Sequence, residues 1–158
     1  MKKALMILVL LAIATGGTAM IETLSLEQLA HQSDAVVFAT VIAIKSTEKT
    51  PEGVRVIANL VQVSESLKGE LKPEEKIKIK TFAGVEDNVT FNEQQKYLLF
   101  LQKADGFYNI TNAIQGCWPV EADGKFSKMG SGISLKEVKE AINTKPLQPQ
   151  FKVPDLQL

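Results

Sequence analysis

From Asp34 to Gly69 the chain reads DAVVFATVIAIKSTEKTPEGVRVIANLVQVSESLKG: two long runs rich in β-branched residues around a polar loop. Such runs favour extended backbone, and the loop at Ser46–Gly53, with Pro51 and Gly53, breaks them into two strands. In the first, Val36, Phe38, Ile42 and Ile44 hold one phase, while Ala35, Ala39 and Ala43, with Val37 and Val41, hold the other. Large residues on one side predict that this side lines a barrel interior and that the alanine side admits a helix or loop. In the second, Val54, Val56, Ala58 and Leu60 hold the even phase, but Val61, Val63 and Leu67 hold the odd one. Strand faces alternate strictly, so an extra residue must be absorbed near Leu60-Val61 if both groups face inward. A β-bulge or sharp bend does this, and strongly bent long strands are what a small closed barrel needs at its corners.

The flanking sequence supplies the rest of a mainly β domain. Ser25-Leu26-Glu27-Gln28 has capping-box spacing and opens a short helix that ends at Ser33-Asp34. Lys76-Ile77-Lys78-Ile79-Lys80 alternates strictly and predicts a strand with one wet face, its lysines discouraging edge pairing. Phe82–Gln95 is a long connection. Lys96-Tyr97-Leu98-Leu99-Phe100-Leu101 is apolar in both phases and predicts a central strand. Asp105-Gly106 makes a hairpin turn into Phe107–Ala113, and Cys117-Trp118-Pro119-Val120 is a short extended piece. Ser134-Leu135-Lys136-Glu137 caps a second helix running to about Asn143, with Leu135, Val138 and Ile142 inward.

Composition bounds the class. The 158 residues make one domain, and 45% apolar with 23% charged residues is ordinary globular composition. Eighteen basic against eighteen acidic residues leaves no cationic excess of the kind nucleic-acid binding needs. Lys2 and Lys3, the apolar run Ala4–Ala14 and the small residues around Gly17 and Ala19 read as a signal peptide over residues 1–19, cut between Ala19 and Met20. The alternative is an uncleaved anchor, but eleven apolar residues fall well short of the roughly 20 a spanning helix needs. Cleavage removes two lysines and no acid, leaving a mildly acidic chain, secreted or periplasmic, with no stable membrane span. Cys117 is the single cysteine, so a disulfide framework is excluded and a buried, hydrophobe-like role is expected for it.

Motifs for chemistry are sparse. One histidine and one cysteine cannot build a four-ligand zinc site. Glu86-Asp87-Asn88 is only a fragment of an oxygen-ligand calcium loop. Ser46-Thr47-Glu48-Lys49 has the Ser-x-x-Lys spacing without its companion motifs, and no glycine-rich loop joins a strand to a helix. No catalytic residue, metal or cofactor is implied, and a non-enzymatic protein is expected.

The succession of features is familiar. A capped helix leads through Ser33-Asp34-Ala35-Val36-Val37 into a strand, and a bent second strand ends in Lys68-Gly69. Lys96-Tyr97-Leu98-Leu99-Phe100, Asp105-Gly106, Tyr108-Asn109-Ile110-Thr111 and Cys117-Trp118-Pro119 follow, then a helix. Over roughly Leu24–Ile142 this resembles the inhibitory domain of tissue inhibitors of metalloproteinases and the related netrin-like modules. It also resembles a type of small exported bacterial protein of the same layout. The resemblance implies a five-stranded, OB-like Greek-key barrel with two short flanking helices over residues 20–143, followed by an extended or disordered tail over 144–158. It also implies binding through the mature N-terminus and the loop after the third strand, here Met20, Ile21, Phe82, Val85, Glu86, Asp87 and Asn88. Family inhibitors bind zinc through a free N-terminal cysteine tied by a disulfide to that loop; here Met20-Ile21 and Val85-Glu86-Asp87-Asn88 stand in those places without cysteine. Two functional classes follow: a module for an exported or envelope protein, with protease inhibition as its sharper form, or a small-ligand or glycan carrier using a barrel face.

Overall fold

The computed structural model describes residues 22–146; residues 1–19, expected as a signal peptide, Met20, Ile21 and the tail from residue 147 lie outside the described residues. Its elements are α1 (Leu26–Gln32), β1 (Ala35–Lys49), β2 (Arg55–Lys68), β3 (Lys76–Ala83), β4 (Lys96–Ala104), β5 (Phe107–Ile110), β6 (Cys117–Pro119) and α2 (Leu135–Asn143). β1 pairs with β2, β2 with β3, β3 with β5, β5 with β4, and β4 returns to β1. All of these pairings are antiparallel except β3 with β5, which touch in parallel at one bridge, Ile79 to Tyr108. This is a closed five-stranded, OB-like Greek-key barrel. β6 continues β5's place along β4, from Tyr97–Pro119 to Leu99–Cys117.

The barrel encloses Val37, Ala39, Val41, Val61, Val63, Ile77, Ile79, Tyr97, Leu99 and Leu101, and Val89 and Phe91 pack into the same cluster. A second core lies outside the barrel wall, where Val36, Phe38, Leu98, Phe100 and Trp118 meet Leu29 and Ala30 of α1 and Val138 and Ala141 of α2. β4 serves both cores, which is why its sequence has no polar phase. The expectation for β1 is therefore inverted. Its alanine-and-valine phase faces the barrel interior, and Val36 and Phe38 point outward under the helices. Near β1 the barrel has room only for small side chains because Tyr97 and Phe91 already fill it, their rings 5.0 Å apart and edge-on.

The expected bulge in β2 does not form: its odd phase, Val61 and Val63, faces in, its even phase, Ala58 and Leu60, faces out, and the extra residue at this level is in the facing strand. Val41 is opposite Val61 and Ala43 is opposite Leu60, so Ile42 of β1 is the extra residue. β2 keeps one continuous register with β3 from Arg55–Ala83 to Gln62–Lys76. After Ile42 the parity of β1 reverses, and Ile44 packs on the barrel interior. Further shifts between Val36 and Val37 and between Phe38 and Ala39 bend the other end of the same hairpin.

One corner ties the helix to the barrel. The Ser33 hydroxyl, buried, lies 2.7 Å from both the Leu29 carbonyl and the Thr111 hydroxyl. Lys68 Nζ donates to the Ala30 and Ser33 carbonyls at the C-terminal end of α1, where a cation suits both the free carbonyls and the helix dipole. Gly69 follows at φ +94°, and a Cβ there would lie 2.5 Å from the Asp34 carbonyl oxygen. Asp34 in turn accepts from the Lys103 amide at 2.7 Å.

Both helices carry the reciprocal caps expected of them, Ser25 with Gln28 and Ser134 with Glu137. The Ser134 amide and hydroxyl hold the Glu137 carboxyl below the usual carboxylate range. A carboxyl depressed in the folded state stabilises above its unfolded pKa and stops doing so as pH falls through the folded value. Glu137→Gln is therefore expected to lower the urea midpoint at neutral pH, with the difference from the parent protein closing on acidification. A difference that persists unchanged in acid would assign the cap to geometry alone.

Candidate functional site

β3 and β5 meet only at Ile79–Tyr108. A cavity of about 540 Å³ opens here, lined by Lys80, Thr81, Phe82, Phe107, Asn109 and Ile110 among others. The connection after β3 forms its rim. Asn88 Oδ1 accepts from the Phe82 amide at 3.2 Å, and Asp87 takes a left-handed φ of 58°, which turns the loop back on its own strand. Val89 and Phe91 then go into the barrel core and anchor the loop from below. With both its stems held, the loop puts Phe82 and Val85 into solvent, 42% and 49% exposed. Glu86 and Asp87 are exposed beside them, and Asn88 is half-buried.

A second cavity of about 200 Å³ shares Asn88 and Val89 with the first and continues to Ile114, Cys117, Lys128 and Met129. Ile114 sits in a 3-10 turn, Ala113–Gly116, and Met129 in another, Lys128–Gly130. Asn112, Ala113 and Lys128 all have left-handed backbone, so these turns project single side chains without building a periodic pattern. Among the described residues, Phe82, Val85, Ile114 and Met129 are the exposed large hydrophobic side chains; Phe82 lines the first cavity, and Ile114 and Met129 line the second. Sequence reasoning named the first two and missed the others, because one apolar residue in a short turn carries no periodicity. The left-handed pair Asn112-Ala113 was the only local hint, and Asn alone favours that conformation.

The chain that leads into α1 is fastened to the same end. Gln115 accepts from the Leu24 amide at 3.0 Å and donates to the Leu24 carbonyl at 2.6 Å, and Asn112 donates to the Glu22 carbonyl at 2.8 Å. Of the seven expected binding residues, Phe82, Val85, Glu86, Asp87 and Asn88 lie together; Met20 and Ile21 lie outside the described residues.

Burial pushes the Cys117 thiol up to about 12, against a small downward pull from Lys128, so the sulfur under the smaller cavity is held as a neutral thiol. His31 is on α1, and no hydrogen bond reaches its buried Nε2. Among the described residues no three His, Cys, Asp or Glu side chains group to hold a metal ion, and no helix is long and apolar enough to cross a membrane. What the site presents is a discontinuous apolar patch with an acidic and amide rim, the usual anatomy of a protein-binding surface. Comparison with protein-family models and with curated proteins finds no match.

Proposed function

We propose that this protein is an exported, non-enzymatic binding module that engages an exported or envelope protein through the barrel end around Phe82–Asn88. The observation that carries this reading is a pair of cavities that share Asn88 and Val89, one edged by exposed Phe82 and the other by exposed Ile114 and Met129, from three separate segments. Exposed apolar side chains are ordinary when scattered; their convergence from distant parts of the sequence calls for a partner. The anchored loop supports it too, because a surface held in shape before binding loses less conformational entropy on docking.

The resemblance to metalloproteinase inhibitors adds a sharper version, in which the amine and carbonyl of a mature Met20 chelate a protease zinc. The loop that holds such a terminus in the family by a disulfide has no cysteine here. Absence of inhibition in a metalloprotease assay at high micromolar concentration disposes of that version and leaves the wider one standing.

The test uses surface variants that leave the cores intact. Phe82→Ser with Met129→Ser is expected to weaken capture of the protein partner from envelope or culture fractions by about 10- to 100-fold, the scale of two interface anchors. Lys136→Glu on α2, away from the patch, serves as the control. Equal capture by the double variant and the parent protein sinks the reading, as does recovery of saccharide or small molecule alone.

A further inference from the structure

The lysines of β3 acquire a counterpart that the sequence does not show. Ala58 lies opposite Lys80 on one side and Lys45 of β1 on the other. Leu60 lies between Lys78 and Ala43 in the next rung of the same face. Directly opposed residues share a face, and Asn59, Val61, Ile77 and Ile79 point inward, so this rank points out. Lys45, Lys78 and Lys80 are all exposed, while Ala43, Ala58 and Leu60 are half-buried between them. The result is a strip of short or apolar side chains along β2, with Lys45 on its β1 side and Lys78 and Lys80 on its β3 side, which together form a shallow trough. Neighbouring strands are about 4.8 Å apart and alternate residues on one strand about 6.7 Å, so the walls stand about 10 Å apart with a lysine at each step along β3.

Among the described residues no carboxylate pairs with Lys45, Lys78 or Lys80. Among the described side chains the ion pairs are Lys125–Asp123 and Lys136–Glu140, and neither belongs to this face. Glu74, bonded to Gln62, marks one end of the trough, and Phe82 marks the other. A solubilising or edge-guarding role accounts for lysines on β3 alone; it does not account for Lys45 facing them across β2, which is paired on both edges.

We propose that this trough binds a linear acidic polysaccharide, its carboxylate groups lying between Lys45 and the Lys78–Lys80 pair. Charge selects a polyanion, and the aromatic groups select among polyanions. Single-stranded nucleic acid is held by successive bases stacked on open aromatic faces, but the Phe107 ring beside the trough is covered by Lys80 Nζ, 3.8 Å from its centroid, which leaves Phe82 at its end as the one exposed ring among the described residues. Sugar carboxylates need only the cations and a floor that lets the chain come close, which Ala43 and Ala58 provide. The trough abuts the Phe82–Met129 end, where Lys80 lines the first cavity beside Phe82, and it gives the carrier alternative a definite face.

The test is a titration of the ¹⁵N-labelled full chain with alginate oligomers, with dextran and oligo-dT in parallel. Alginate is expected to shift the amides of Ala43, Lys45, Ala58, Leu60, Lys78 and Lys80, and to lose affinity as salt is raised. Lys78→Glu with Lys80→Glu is expected to weaken binding by about tenfold or more, since reversal replaces two attractions with two repulsions. Lys125→Glu with Lys136→Glu is expected to leave it unchanged, and amide spectra establish that both variants fold. Shifts confined to other residues, equal loss in both double variants, equal binding of dextran, or tighter binding of oligo-dT at the same amides would each overturn the proposal.

Discussion

Trp118→Ala is expected to lower the unfolding free energy by about 3–5 kcal/mol, a large part of the roughly 5–15 kcal/mol that holds a domain together. Trp118 is 1% exposed at the centre of the outer core. Its ring lies 5.0 Å from Phe100 and 5.5 Å from Phe126, both tilted at 57°. Gly130 closes over it so tightly that a Cβ there would come within 2.6 Å of the indole. The indole nitrogen donates to the Gln115 carbonyl at 2.7 Å, so truncation leaves a cavity and also strips an acceptor of its partner. Urea unfolding measures the effect as a shift in midpoint at nearly constant slope. Phe82→Ser, on the exposed barrel end, is the comparison and is expected to change stability by less than about 0.5 kcal/mol. A loss below 1 kcal/mol at Trp118 would mean that the helices do not depend on this core.

The second large effect concerns Cys117. With its thiol pushed up to about 12 by burial, the reactive thiolate is scarcer than in an ordinary cysteine by about a thousandfold, the arithmetic of three pKa units. Thiol-disulfide reagents at pH 8 are expected to react with the native chain at least that much more slowly than with the urea-unfolded chain. Labelling of both at similar rates would place the sulfur in contact with water. The same shift predicts alkaline sensitivity. Folding raises the pKa of an acid whose neutral form is preferred inside, so its contribution is complete below the unfolded value near 9 and is lost as pH climbs toward 12. In that window the loss is about 1.4 kcal/mol per pH unit. Tyr97, also raised by burial, adds a slope of its own, so the readout is the difference between the parent protein and Cys117→Ala.

What could be read from the residues alone divides along physical lines. The two caps were legible because a capping box is closed within four residues, and both are present as expected. β4 was legible because a strand between two apolar layers has no polar phase. The change of phase at Leu60-Val61 was misleading, because the even phase of β2 is apolar yet faces out, and the extra residue is Ile42 of β1. The inside of β1 was misassigned for a related reason. Side-chain size tells two faces apart without saying which core is the wider, and here the outer core holds Phe38, Trp118 and Phe126. On the barrel end, the loop from Phe82 to Asn88 was located by its place after a strand. Ile114 and Met129 reach the same surface only through tertiary folding, and no local pattern announces that.

The bonds at the helix–barrel corner also fix an order of events. Leu24 is tied to Gln115 across 91 residues, Ser33 to Thr111 across 78, and Asp34 to Lys103 across 69. α1 therefore precedes its partners in the chain and finds its place only after they are made. Until the chain past Gln115 exists, the Ser33 hydroxyl lacks Thr111, the Asp34 carboxylate lacks the Lys103 amide, and the apolar side of α1 has no wall to cover. Contacts this distant in sequence close only after the residues around 103–115 are available, and loop closure of that length slows the step that seats α1.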